Sequence, residues 1–280
     1  PLREGEIIVV DSGGQYVDGT TDITRTIAIG PAGDEVRACF TRVLQGMIAI
    51  SRLRWPKGLA GSHLDALARY PLWLAHQDYD HGTGHGVGAY LSVHEGPAGL
   101  SRRYDVPLEA GMILSNEPGY YREGAFGIRI ENLIVVEAAQ PPSTGDMSRE
   151  MLTMRTLTFV PIDRRLIAAQ MLTRAEVDWI DAYHAEVLAR IGPRQTALEE
   201  ALVAGTVDAP GLRAQLNELE AELQRDIRGA LRRIYYTASG ELTETGKGFA
   251  RLTGGTLLSN TVDPDKLPGW LGEADLDYYT

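Results

Sequence analysis

Five metal-capable side chains stand at strand ends or in glycine-rich turns along the chain. Asp11 follows the apolar run Ile7-Ile8-Val9-Val10, and Asp22 lies in the next strand-like segment. His85 belongs to His81-Gly82-Thr83-Gly84-His85-Gly86-Val87-Gly88, Glu117 precedes Pro118-Gly119, and Glu131 sits within the apolar stretch from Gly127 to Val136. Four carboxylates and one imidazole make a hard, oxygen-rich ligand set whose negative charge is balanced by two divalent ions. Two such ions can hold a water between them, lower its pKa and polarise a carbonyl, which is metal-assisted hydrolysis of an amide.

Each residue also has a plainer reading. Aspartate at a strand end is commonly a turn residue, and Glu117 alone is an ordinary loop carboxylate. The strand period of two puts Arg129 and Glu131 on one face and Ile128 and Ile130 on the other. That face either points inward to a partner or carries a mutual salt bridge in solvent. The alternating glycines around His81 and His85 are harder to explain plainly, because they strip the backbone of side chains where something must approach closely. The two histidines do not form the helical zinc-protease motif, and Gly84 to Ala89 lacks the strand and helix that would frame a dinucleotide site.

The elements that must position these groups follow from pattern. Residues 6–10 and 20–29 read as two strands of a hairpin, the first running into a turn at Asp11-Ser12-Gly13-Gly14 and the second stopping at Gly30-Pro31, so that Asp11 and Asp22 can face each other. Asp34 is the expected N-cap of a helix to about Arg54, with Val36, Phe40, Val43, Leu44 and Met47 as its apolar stripe and Pro56 beyond its end. Ser62 and Asp65 suggest a capping box for a short helix stopping before Pro71. Six glycines between residues 81 and 99 imply loop and short strand. Strands are expected at 111–117 and 127–136, and Thr173 with Glu176 caps a helix from Arg174 to Ile191 that ends at Gly192-Pro193. Leu212, Leu216, Leu219, Leu223, Ile227 and Leu231 then mark a long amphipathic helix, while residues 238–272 carry no strong signal.

With 280 residues, 44% of them hydrophobic, the chain can bury a sizeable core in one large or two small domains. Its 27 basic and 38 acidic residues give a net charge of -11, which disfavours nucleic acid and anionic membranes as partners. Cys39 is the single cysteine, read as a small buried thiol in a reducing, cytoplasmic setting. No apolar run approaches the roughly 18 residues of a membrane span. The chain opens Pro1-Leu2-Arg3-Glu4-Gly5-Glu6, without initiator Met or signal pattern, and so reads as having a cut start.

Six ordered motifs then carry a resemblance: Asp11 to Tyr16, Gly19 to Thr26, His81 to Gly88, Val93-His94-Glu95-Gly96-Pro97, Asn116 to Tyr121 and Gly127 to Asn132. Over roughly residues 1–195 the chain resembles the Xaa-Pro aminopeptidases (aminopeptidase P) of the pita-bread metallopeptidase family. The resemblance implies an α+β pita-bread (creatinase/aminopeptidase) fold, amino-terminally truncated, and release of the first residue from peptides with proline second. It implies two divalent ions, usually manganese with zinc or cobalt as alternatives, held by Asp11, Asp22, His85, Glu117 and Glu131, with Asp22 and Glu131 bridging. Glu117 would relay a proton from the bridging water, His81 and His94 would contact substrate or intermediate, and Arg129 would orient Glu131. His63, His76 and His184 match no family motif and read as ordinary structural residues.

The family's catalytic domain has two related halves, so a first ligand at residue 11 implies that most of the first half, with one further histidine, is missing. Residues 196–280 read as a helical tail, and 216–280 resembles the lid region of α/β-hydrolase epoxide hydrolases, without a nucleophile motif. Three other readings remain: a prolidase-type dipeptidase, a catalytically incompetent fragment, and a metal-free pita-bread binding module. A homodimer is compatible with all of them.

Overall fold

The computed structural model describes residues 2–16, 19–88, 92–146 and 148–203, of which 194–203 are described by their backbone alone. The chain divides into two compact units, Pro1–Pro193 and Arg194–Thr280. The amphipathic helix read at Leu212 to Leu231, the segment 238–272 and the lid-like stretch 216–280 lie outside the described residues, as does nearly all of the expected helical tail.

Strands β1 (Ile7–Tyr16) and β2 (Gly19–Ala28) form the expected antiparallel hairpin, but β1 does not turn at Asp11. It continues to Tyr16 because Gly13 and Gly14 let the two strands lie close; a Cβ on Gly13 would stand 3.0 Å from the Thr21 carbonyl oxygen. Asp11 pairs with Thr24 and Gly13 with Asp22, so the two aspartates are diagonal neighbours on one face rather than directly opposed.

Helix α1 (Asp34–Ser51) is capped by the extended Gly33 without a side-chain bond, so Asp34 is the first helical residue and not the cap; its charge still complements the helix dipole. The helix stops at Ser51, short of Arg54, because Arg54–Pro56 becomes strand β3. Phe40, Val43, Leu44 and Met47 are buried as the stripe requires. Helix α2 (Gly61–Trp73) departs further from expectation. Its start is closed by His63 Nδ1, which accepts from the Ala60 N–H at 3.1 Å, while Asp65 turns inward to Arg69. Pro71 sits in the last turn without stopping the helix, since a proline there removes only one bond from a helix that is otherwise packed.

Gly46 is where α1 and α2 touch: a Cβ there would overlap the Ala68 carbonyl. Gly46→Ala should therefore destabilise the protein by about 1–3 kcal/mol in urea denaturation, although alanine is intrinsically better in a helix by about 1 kcal/mol. A neutral or stabilised variant would mean that the two helices separate freely.

Strands β4 (Gly84–His85) and β5 (Gly99–Leu100) form a short pair. Next come β6 (Ile113–Asn116), β7 (Gly119–Arg122), β8 (Phe126–Arg129), β9 (Asn132–Ala138) and β10 (Met151–Thr156). The order β3-β10-β9-β6 makes an antiparallel four-stranded sheet, and β7 pairs with β8. The single strand expected over 127–136 is thus broken at Ile130-Glu131. Its two parts belong to different sheets because the Glu131 N–H leaves the ladder for the Thr24 carbonyl at 3.0 Å. One core cluster joins α1 to Ile128, Ile130, Ile180 and Tyr183, and a second gathers Trp55, Leu64, Leu100, Leu114 and Ile134.

Helix α3 (Arg174–Val203) begins with the expected capping box, Thr173 N–H to Glu176 Oε2 at 2.7 Å, but passes through Gly192-Pro193 instead of ending there. One missing N–H does not terminate a helix anchored upstream by buried Ile180, Tyr183 and Val187. No helix among the described residues is long and apolar enough to cross a membrane. Cys39 is buried against Gln77 Nε2 at 3.3 Å.

Candidate metal centre

The structure gathers the five sequence-derived candidates from four elements into the wall of one cavity of about 250 Å³, which His94 also lines. The β1–β2 hairpin brings Asp11 and Asp22, the β4 strand His85, the end of β6 Glu117, and the break between β8 and β9 Glu131. Asp22, His85 and Glu131 are buried and offer ligand atoms within 4.8 Å of one another. His85 Nε2 lies 3.4 Å from Asp22 Oδ2 and 3.3 Å from Glu117 Oε1. Its Nδ1 meets the Gly86 carbonyl at 2.9 Å, an arrangement that leaves Nε2 free to face the carboxylates when the imidazole is neutral. Asp11 is more exposed and ion-paired with Arg129.

The electrostatics of this cluster favour added positive charge. Burial, reinforced by the neighbouring Glu117 and Asp22, pushes the Glu131 carboxyl up to about 8. Burial also raises Glu117, against the pull of His85. Burial opposes the charged form of His85, but the hydrogen bond to Asp22, the Gly86 carbonyl and Glu117 outweigh it and hold His85 above its ordinary value. Glu131 Oε1 is buried with no hydrogen-bond partner, whereas Oε2 accepts from Thr24 Oγ1 at 2.7 Å. A buried carboxylate oxygen left bare beside an imidazole nitrogen and a second carboxylate is what a divalent cation would satisfy, so the donor set fits such ions.

His81 and Arg129 stand one layer back. His81 Nδ1 meets the Gly82 carbonyl at 2.7 Å, so the neutral ring accepts at Nε2 from the Tyr121 hydroxyl at 2.9 Å, and that hydroxyl accepts from Arg129 Nη1 at 3.1 Å. Arg129 does not take the mutual salt bridge with Glu131 that the strand period allowed; its ion pairs run to Asp11 and, at 3.9 Å, to Glu117. It meets Glu131 through Thr24 Oγ1, which accepts from Arg129 Nε at 3.1 Å. His94 lies with its ring centroid 4.0 Å from that of His85. Burial holds both His81 and His94 below the usual histidine range, and the adjacent His85 adds to the effect at His94.

Three supporting residues went unread as site residues. Ser115 Oγ accepts from the His85 N–H and donates to Glu117 Oε1, both at 2.9 Å, so one hydroxyl sets two candidate ligands. Thr24 links Glu131 to Arg129. Arg25, 5% exposed, bonds the Glu131 carbonyl, Asn132 Oδ1 at 2.7 Å, the Val160 carbonyl at 2.7 Å and the Tyr183 hydroxyl at 2.8 Å. Alternation in β2 is the one signal that could have pointed to Thr24, since it shares a face with Asp22. The plain reading of the other histidines is consistent with their contacts: His63 caps α2, and His184 Nε2 accepts from the Ile162 N–H at 3.0 Å.

Residues 1–138 match metallopeptidase family M24, and residues 150–203 match the C-terminal region of peptidase M24. Aminopeptidase P2 of Arabidopsis thaliana is 50% identical over 190 residues, which cover 67% of this chain and 27% of that protein. Aminopeptidase P1 of the same plant is 46% identical over 200 residues, covering 69% and 31%. The crystal structure of X-prolyl aminopeptidase from Caenorhabditis elegans, described as a cytosolic enzyme with a di-nuclear active site, superposes with a TM-score of 0.65 at 40% identity, over 69% of this chain and 31% of that one. The chain therefore spans about a third or less of the length of these relatives.

Proposed function

This chain belongs to metallopeptidase family M24 over residues 1–138 and 150–203, with its pita-bread fold, and we propose that it supplies the metal-binding part of an Xaa-Pro aminopeptidase. The observation that carries the reading is the convergence of Asp22, His85 and Glu131, with a bare Glu131 oxygen, on the cavity that Asp11 and Glu117 complete. In this reading the five residues hold two divalent ions, manganese by preference. When bound, the ions supply a Lewis acid for the scissile carbonyl and acidify a water.

The chain's own groups do the rest. Glu117, raised by burial and held at Oε1 by Ser115, is suited to accept and return a proton. His94, neutral at the cavity wall, can hydrogen-bond a substrate carbonyl, and His81, whose Nδ1 meets the Gly82 carbonyl at 2.7 Å, can act on substrate through the Tyr121 hydroxyl that its Nε2 meets. The cavity is smaller than the roughly 300–1,000 Å³ of ordinary ligand pockets, which suits the end of a peptide. On the same reading residues 1–195 form the catalytic part, and the whole acts in the cytosol with a homodimer as a permitted assembly.

Purified protein should retain two equivalents of metal by elemental analysis. With manganese added it should release the first residue from Xaa-Pro-Yaa tripeptides faster than it cleaves Xaa-Pro dipeptides. The reverse preference would favour a prolidase, and absence of both metal and cleavage would overturn the activity of this chain.

A further inference from the structure

The His81 to His85 segment carries glycine at positions 82 and 84, so few of its side chains can wedge it in place. The β4–β5 pairing and Ser115 hold its end at residues 84 and 85, and α2 grips the part before them. Arg69, with 4% of its side chain exposed, sends Nε to Asp65 Oδ2 at 2.7 Å and Nη1 to Asp78 Oδ1 at 2.8 Å and the Tyr79 carbonyl at 2.6 Å. Nη2 reaches the His81 carbonyl at 2.7 Å, and the guanidinium lies 4.0 Å above the Tyr79 ring. The second oxygen of Asp65 accepts from Thr83 Oγ1 at 2.6 Å. The Thr83 carbonyl in turn accepts from the Glu117 N–H at 2.7 Å. One buried pair on a helix outside the cavity thus holds the segment at residues 81 and 83, on both sides of Gly82.

We infer that Arg69 and Asp65 are positioning residues that hold the His81 imidazole where it meets Tyr121, and that they set turnover in the proposed aminopeptidase reaction, on which reading this rests. A buried ion pair contributes little net stability compared with apolar residues of the same volume. A planar fork with donors on four separate acceptors does something apolar residues cannot, which is to fix a glycine-rich backbone against slippage. Lysine keeps the charge but spreads three donors from one point, so it cannot serve the same four acceptors.

The test uses the full chain loaded with manganese. Arg69→Lys should lower kcat about 10–100-fold, the scale of a misplacement of about 1 Å, with KM within about twofold and metal content unchanged. In a His81→Ala background the same substitution should cost nothing further, because its effect passes through His81. An equal loss in both backgrounds, or a loss of bound metal, would overturn the inference. Imidazole NMR of the metal-free protein, where no paramagnetic ion broadens the signals, gives a readout independent of activity: Arg69→Lys should shift the His81 signals and leave those of His184 in place. If wild-type protein cleaves nothing, the aminopeptidase reading fails while the NMR result still decides whether α2 holds His81. Should Arg69→Lys not fold, Thr83→Val removes the second grip with little change of volume, and an unmoved His81 signal there overturns the inference equally.

Discussion

Glu131→Gln is expected to lower peptidase turnover well beyond the roughly 10–100-fold that follows loss of a residue supporting a metal ligand, and at the same time to raise the stability of chelator-treated protein at pH 8. Both effects come from one bare oxygen. Glu131 Oε1 is buried without a partner, and the carboxyl is pushed up to about 8 from its ordinary 4.5, first by burial and then by Glu117 and Asp22. A carboxyl whose folded pKa is raised binds its proton more tightly in the native state than in the unfolded one. Its contribution to stability is therefore fully present below about 4.5 and is lost as pH rises through about 8. The melting temperature of chelator-treated wild type should fall across that window, and divalent metal should restore it. Glutamine keeps the shape and an acceptor for Thr24 but carries no charge, so the fall should be shallower. Glu117 and His85 are also raised and leave part of it in place. At pH 8 the variant should melt about 3–10 °C above the chelated wild type, as read by calorimetry from pH 5 to 8. A variant that melts lower at pH 8 would mean that Glu131 is not charged at a cost there.

Arg25→Met should destabilise the protein strongly, by about 3–5 kcal/mol in urea denaturation. Its guanidinium meets the Glu131 and Val160 carbonyls, the Asn132 amide oxygen and the Tyr183 hydroxyl, yet carries no carboxylate ion pair in this set. Burial draws its pKa down, partly offset by Tyr183 and Glu131, but an arginine keeps its proton under such conditions. Methionine fills similar volume while leaving several buried acceptors without donors, and each orphaned group costs about 1–3 kcal/mol. Tyr183→Phe removes one of those bonds together with the hydroxyl's own bond from the Val160 N–H, and should cost about 1–3 kcal/mol. A loss from Arg25→Met no larger than that from Tyr183→Phe would show that the arginine's bonds to residues 131, 132 and 160 add nothing beyond Tyr183.

These two residues mark the boundary of what the sequence reveals. Glu131 was legible because a carboxylate in an apolar run is chemically out of place. The hairpin, the buried face of α1 and the capping box at Thr173 were legible because they rest on neighbours within a few positions. Arg25 and Thr24 act on partners folded in from elsewhere, Thr24 and Glu131 lying 107 positions apart, and Ser115 joins its near neighbour Glu117 to His85, 30 positions back. The break at Ile130-Glu131 escaped the strand period because the period continues through it, while the Glu131 N–H answers to β2. Pro71 and Pro193 sit inside helices for a similar reason, since packing outweighs a local breaker.

The bonds of Arg25 have a consequence for the order in which the molecule is made. Its partners lie at residues 131–132, at 160–161 and at 183, so the arginine cannot be satisfied until Tyr183 has emerged from the ribosome. Until then Arg25 lacks the Tyr183 hydroxyl, although its bond to the Glu131 carbonyl and the bond of the Glu131 N–H to Thr24 need nothing beyond residue 131. On the proposed reading, stable metal loading is expected once α3 has seated Arg25. A pulse of isotopic manganese given to stalled nascent chains should be retained by those that expose Tyr183 and washed from those that stop at residue 160.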